Sequence, residues 1–107
     1  MFFKKRAPSL PRIREGSSHV IVVGDEYFGN PFTRMKTAEV PGELRREPAN
    51  RHDRNAIAVH LNGSQVGYLS AARAAKYAPM LDALGGAALV TLRISQGEAW
   101  VKLPSPK

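Results

Sequence analysis

The sequence predicts a mainly β domain of five to six short strands with one kinked helix, preceded by a disordered basic arm. Three observations carry this. Apolar residues alternate in several short runs bounded by glycine, proline and asparagine, which is the period of half-buried strands. From Ser70 to Leu84 the spacing changes to that of a helix. Cationic residues and prolines crowd the first seventeen positions, where there is little to bury.

In that arm Lys4, Lys5, Arg6, Arg12 and Arg14 stand against Glu15, so residues 1–17 hold +4 of the total charge of +7. With Pro8, Pro11, Gly16 and Ser17 they read as mobile and dispensable for folding, and residues 18–107 as the domain. Basic tails bind nucleic acid or acidic surfaces through counterion release; they serve equally as solubilising leaders.

His19-Val20-Ile21-Val22-Val23 is a β-branched run ended by Gly24, which suits a strand buried on both faces. Asp25 to Lys36 is irregular and carries Tyr27, Phe28 and Phe32. Thr37 to Arg46 can be a strand, but Pro41-Gly42 should interrupt it as an edge bulge or a turn, because proline donates no ladder bond. Glu47 to Asn55 is a polar, turn-prone loop. In the strand after it, Ile57, Val59 and Leu61 share one face, and Ala56, Ala58 and His60 the other. Asn62-Gly63 accepts the positive φ of a tight turn, and Gln65 to Tyr68 returns.

Ser70 is a good N-cap for the helix. Ala74, Tyr77, Ala78, Leu81 and Leu84 recur at helical spacing between residues 71 and 84. Pro79 should kink that helix or start a second short one, and Gly85-Gly86 stops it. Val90, Leu92 and Ile94 alternate in the next strand. Gln96-Gly97 turns it into Ala99 to Leu103, which Pro104 ends.

A chain of 107 residues makes one domain with one modest core. It has no cysteine, which excludes disulfides and thiolate metal sites. No apolar run approaches a membrane span, and the start lacks the apolar region of a secretory signal. The expectation is a soluble, cytoplasmic monomer without membrane contact.

A catalytic reading fits poorly. There is no nucleophile elbow, phosphate loop or metal-spaced histidine pair. His19, His52 and His60 lie on separate elements and would all have to converge with Asp53 to hold zinc. His52-Asp53 as an acid–base couple is disfavoured because adjacent side chains normally point apart. Neither cofactor nor metal is expected. Binding has more support. Arg45, Arg46, Arg51 and Arg54 flank the polar loop and can meet phosphates. Tyr27, Phe28, Tyr68 and Trp100 lie in or beside loops and strand ends, where rings stack on bases as readily as they fill a core. Asp53 can cap its turn and also accept a hydrogen bond from a ligand hydroxyl.

Three stretches resemble a HIRAN domain: Val22-Val23-Gly24-Asp25-Glu26-Tyr27, then Glu47-Pro48-x-Asn50-x-x-Asp53-x-Asn55-Ala56-Ile57-x-Val59, then Val66-Gly67-Tyr68-Leu69 with a helix after it. The resemblance covers about residues 18–103. It implies a small OB-like β-barrel with a helix, of the kind that occurs alone or fused to helicase-like remodelling proteins. It also implies non-catalytic binding of single-stranded DNA at a free 3′-hydroxyl end. Position by position, it makes Tyr27 the aromatic on the terminal nucleotide and Asp53 the acceptor of the 3′-hydroxyl. His52 takes the place of a stacking tyrosine, Tyr68 that of a polar ring on the DNA, and Trp100 that of a stacking aromatic on the last strand. Asn50 belongs to the central motif. Glu26 and Ala71 stand where relatives carry phosphate-binding basic residues, which weakens phosphate binding; Arg51, Arg54, Arg73 or the arm can compensate. The expected partners are single-stranded DNA or DNA ends and a repair or helicase-type protein. The alternative is a protein-interaction module that has lost DNA binding.

Overall fold

The alternating runs form six antiparallel strands: β1 (Ser18–Val23), β2 (Ala38–Arg46), β3 (Ile57–Leu61), β4 (Ser64–Leu69), β5 (Ala87–Ser95) and β6 (Glu98–Leu103). They close into a barrel in the order β1-β4-β3-β2-β5-β6, with β6 pairing back onto β1. The computed structural model describes residues 9–106. One helix, α1 (Ala71–Ala83), links β4 to β5, and two short 3-10 turns, Asp25–Phe28 and Pro31–Arg34, link β1 to β2.

The inward positions make one core: Val20, Val22, Leu44, Ile57, Val59, Leu69, Val90, Leu92, Ile94, Val101 and Leu103, all nearly inaccessible. Helix α1 adds Ala74, Tyr77, Ala78 and Leu81 to the same cluster. These four recur at the spacing of one helix face, so burying them holds the helix against the barrel. The Tyr77 hydroxyl donates to the carbonyl of Pro104 at 2.7 Å and ties the helix to the end of β6. Phe32, fully buried, anchors the irregular stretch after β1.

Several local expectations hold. Asn62 and Gly63 (φ 52° and 81°) and Gln96 and Gly97 (φ 51° and 80°) make the two hairpin turns. Ser70 Oγ accepts from the Arg73 N–H at 3.3 Å as the N-cap. Gly85 and Gly86 return their N–H groups to Asp82 and Leu81, the Schellman pattern that ends a helix.

Four expectations are corrected. β1 is not buried on both faces: His19 and Ile21 point outward, Ile21 with 38% of its surface exposed. β2 is not broken at Pro41-Gly42. It runs through, pairing Pro41 with Thr91 and Gly42 with Val90, while its ladder to β3 begins only at Glu43. Pro41 thus lies where β2 has one neighbour and a missing donor costs little. Gly42 is needed because a Cβ there would sit 2.9 Å from the Leu92 side chain and 3.1 Å from the His60 carbonyl. Of the two outcomes expected at Pro79, only the second short helix is ruled out: the proline lies on the exposed side of one continuous element.

The fourth correction concerns the arm. Its residues 1–8 lie outside the described residues, but the segment from Pro11 to Gly16 is packed on the barrel. Ile13 is buried, with 4% exposure. Its N–H donates to Leu89 O at 2.9 Å, and the Leu89 N–H donates to Pro11 O at 2.8 Å. β6 pairs with β5 only from Leu92 to Ser95, so this flank of Leu89 is open to the incoming chain. Thr91, the one buried polar side chain among the described residues, receives Arg12 Nη2 at 2.9 Å and donates to Glu15 Oε2 at 2.8 Å. A side chain at Gly16 would collide with the backbone of Leu103 and Pro104.

Candidate functional site

The loop between β2 and β3 is built from short-range turn chemistry. Glu47 N donates to Ala56 O at 2.9 Å, so the loop closes where it began. Asn50 Oδ1 accepts the N–H groups of His52 and Asp53, at 2.9 and 3.1 Å. Asp53 Oδ1 accepts the Asn55 N–H at 2.9 Å. Asn and Asp do this readily because their carbonyl oxygens reach backbone N–H groups two or three residues on. Arg46 fastens the far end of the loop. It donates to Arg54 O at 3.0 Å and Ala56 O at 3.2 Å, and pairs with Asp82 of α1 at 2.8 Å.

Tyr68, on β4, reaches across to this loop. Its hydroxyl donates to Glu47 Oε1 at 3.0 Å, and the same oxygen accepts Asn50 Nδ2 at 3.0 Å. The Tyr68 ring packs against Phe28, centroids 6.1 Å apart and planes tilted by 53°. Tyr27 belongs to the same group. A Cβ built on Gly24 would lie 3.8 Å from a ring carbon of both Tyr27 and Tyr68. Tyr27 has no packing partner over most of its ring and is 83% exposed.

Between loop and strands lies a cleft of about 250 Å³, lined by Asn50, His52, Asp53, Ala56, Tyr68 and Leu69. That is just below the ~300–1,000 Å³ of ordinary small-molecule sites. It suits one terminal group rather than an extended cofactor.

Of the nine residues that sequence reasoning singled out, Asn50, His52, Asp53 and Tyr68 line the cleft, and Tyr27 stands beside Tyr68. Arg51 and Arg54 are exposed on the loop, and Arg73 is exposed in the first turn of α1, three residues beyond the Ser70 cap. None of these three arginines is salt-bridged among the described residues. Trp100 lies outside the cleft. It pairs in register with Ile21 of β1, whereas Tyr68 pairs with Val23 on the opposite flank of β1. Both rings therefore share the outer face, displaced by ~7 Å along the strands and two strand spacings of ~5 Å across them.

Two of the flanking arginines have other employment: Arg46 holds the loop, and Arg45 bonds Glu43 at 2.6 and 2.9 Å. His60, half-buried on β3, has its pKa lowered from 6.5 by burial first and by Arg45 second, and lies apart from the cleft. Sequence reasoning missed Glu47. It stands first in the central motif, but its task became visible only with Tyr68 beside it.

The HIRAN domain profile matches residues 15–104 of this chain. Among solved structures, the crystal structure of the HIRAN domain of human HLTF is similar, with a TM-score of 0.50 and 23% identity over 82% of this chain and 77% of that one. At that identity the likeness is one of fold. No curated protein matches.

Proposed function

The chain belongs to the HIRAN domain family, and from that premise we propose that it is a non-catalytic domain that binds single-stranded DNA at a free 3′-hydroxyl end. The family is one of nucleic-acid-binding domains. The observation that carries the finer reading is Asp53: a carboxylate in the wall of a cleft sized for one terminal group, beside the half-buried Tyr68 and the exposed Tyr27. One Asp53 oxygen caps the turn, and the other has no partner among the described residues. In this reading that second oxygen accepts the 3′-hydroxyl, Tyr27 and His52 pack on the terminal nucleotide, and Asn50 holds the loop in shape. Arg51, Arg54 and Arg73 meet the phosphates. Trp100 stacks on a nucleotide further along the outer face. The protein partner that fits such an end-binding module is a helicase-type or repair enzyme.

The test compares short single strands ending in 3′-hydroxyl and 3′-phosphate. A phosphate dianion beside Asp53 meets repulsion and desolvation of roughly 2–5 kcal/mol if the site is dry. Wild type therefore prefers the hydroxyl end, and Asp53→Asn narrows the gap while weakening hydroxyl-end binding. Equal binding of both ends by wild type refutes end capture. Binding of neither strand in low salt favours the second reading, a protein-interaction module. That reading draws on Glu26 and Ala71, both exposed, where relatives carry basic residues, and on the engagement of Arg45 and Arg46 within the fold.

A further inference from the structure

A second hollow lies where α1 meets the chain that follows β6. It holds about 340 Å³, more than the cleft at Asp53, with which it shares no residue. One wall is the flank of α1 that carries Lys76, Pro79 and Met80, and the other is Pro104 to Pro106. Tyr77 lies between them. Its hydroxyl is already engaged by the Pro104 carbonyl at 2.7 Å, so it offers the hollow ring carbon. Pro79, Pro104 and Pro106 contribute rings and no N–H groups. An apolar side chain can therefore displace water there without stranding a backbone donor at those positions.

The hollow opens onto a longer stripe. Arg73, Lys76, Met80 and Leu84 follow one another at three- and four-residue spacing and so share one side of α1. At 1.5 Å per residue that side is about 16 Å long. Its first half is cationic and its second half apolar: Met80 is only partly buried, and Leu84 is 36% exposed. Neither Arg73 nor Lys76 is salt-bridged among the described residues, and no carboxylate lines the hollow. The helix's one acid, Asp82, is paired with Arg46.

We infer that this groove receives an acidic amphipathic helix of another protein. Apolar side chains of that helix enter the hollow and lie on Met80 and Leu84, and carboxylates on its flank meet Lys76 and Arg73. A nucleic acid would satisfy the two cations, but it carries charge on every unit, and the half of the stripe at Met80 and Leu84 has no cation for it. A second copy of this chain, at a formal charge of +7, is repelled.

The experiment uses the full chain and a fluorescein-labelled helical peptide of about eleven residues, three turns, with leucine along one face and glutamate on the flanks. A twin peptide carries lysine in place of glutamate. By anisotropy, wild type binds the glutamate peptide about fivefold tighter than the twin, the effect of two exposed charge pairs. Lys76→Glu, at an exposed position, inverts that order. Met80→Ala weakens the glutamate peptide by about tenfold, as loss of an anchor contact does. Should Met80→Ala fold poorly, Leu84→Ala replaces it, outside the core cluster, with a loss of about threefold. Asp53→Asn leaves peptide binding unchanged, so failure of the end-binding reading and failure of this inference are told apart. Equal affinity for the two peptides, or binding of neither, overturns the inference. Displacement of the peptide by a short single strand, from wild type and Asp53→Asn alike, makes the stripe a phosphate contact and overturns it as well.

Discussion

Two segments of this chain look alike as sequence: the run from Pro11 to Gly16 and the loop from Glu47 to Asn55. Both are short and polar, and both contain a proline and two arginines. In the structure they are held in opposite ways. The loop is tied chiefly to itself, by side chains that reach backbone groups two or three residues away. The N-terminal segment makes a single near ion pair, Arg12 to Glu15 at 3.7 Å. Its strong bonds go to Leu89, Thr91 and Lys102, more than seventy residues on. The loop is a preformed wall that leaves polar groups to spare for a ligand. The segment is a strap that covers the open flank of β5 and leaves little unsatisfied.

The sharpest way to break this contrast is to cut the strap. Ile13→Ala removes a buried aliphatic side chain and should cost about 2–4 kcal/mol. For a domain of this size that lowers Tm by roughly 10–20 °C. Truncation after residue 16 should be at least as damaging. Urea unfolding of the two variants checks it. An unchanged midpoint would restore the expectation, drawn from charge and proline content, that the whole arm is dispensable.

Residues 11–16 pack where a mobile arm was expected, and the reason is definable. Charge and proline report how little a segment can bury by itself. They are silent on whether another element leaves an edge for it. Ile13 was the one cue, a lone aliphatic residue among arginines. The hairpin, the turns and the helix caps were legible because Asn62-Gly63, Ser70 and Gly85-Gly86 act within a few residues. The cleft was legible as far as its own loop reached: Asn50, His52 and Asp53 belong to one turn system. Tyr27 and Tyr68 were legible as aromatics beside loops, but only the family resemblance tied them to this loop. Glu47 was written in the motif, yet its bond to Tyr68 crosses twenty-one residues, and no local rule anticipates it. Nor does alternation reveal which flank of a strand lacks a neighbour, which is why Pro41 looked like a break and proved a tolerated position.

The loop has its own breaking point. Asn50→Ala deletes an acceptor for two N–H groups and a donor to Glu47. At about 1 kcal/mol per bond, partly replaced by water, it should cost about 2 kcal/mol of stability. Binding should fall with it, because His52 and Asp53 lose their seat. Hydrogen exchange across residues 50–55 would report this; protection equal to wild type would mean the loop is held mainly by Arg46. A smaller effect belongs to the unpaired cations. Arg51→Ala, Arg54→Ala and Arg73→Ala should each leave Tm within a degree or two. Each should lower the slope of log K against log salt by about 0.7 if it meets a phosphate of a single strand. An unchanged slope removes that residue from the interface.

The smallest expected effect distinguishes the two segments by pH. In the strap, the hydrogen bond from Thr91, then that from Lys102, holds the Glu15 carboxyl below its ordinary 4.5. A carboxyl depressed in the fold binds its proton less readily there than in the unfolded chain. Its contribution is therefore complete above pH 4.5 and is lost as pH falls through the lower, folded value. Glu15 is largely solvated, so the loss is slight, and it should appear as a shallow acid-side slope in Tm. Glu15→Gln should flatten that slope below pH 4.5 and leave Tm near pH 7 somewhat lower. The strap's apolar anchor does not titrate, so Ile13→Ala should shift the whole curve down without changing its shape. If Glu15→Gln leaves the acid-side slope as it was, the bonds from Thr91 and Lys102 to Glu15 add nothing measurable to stability.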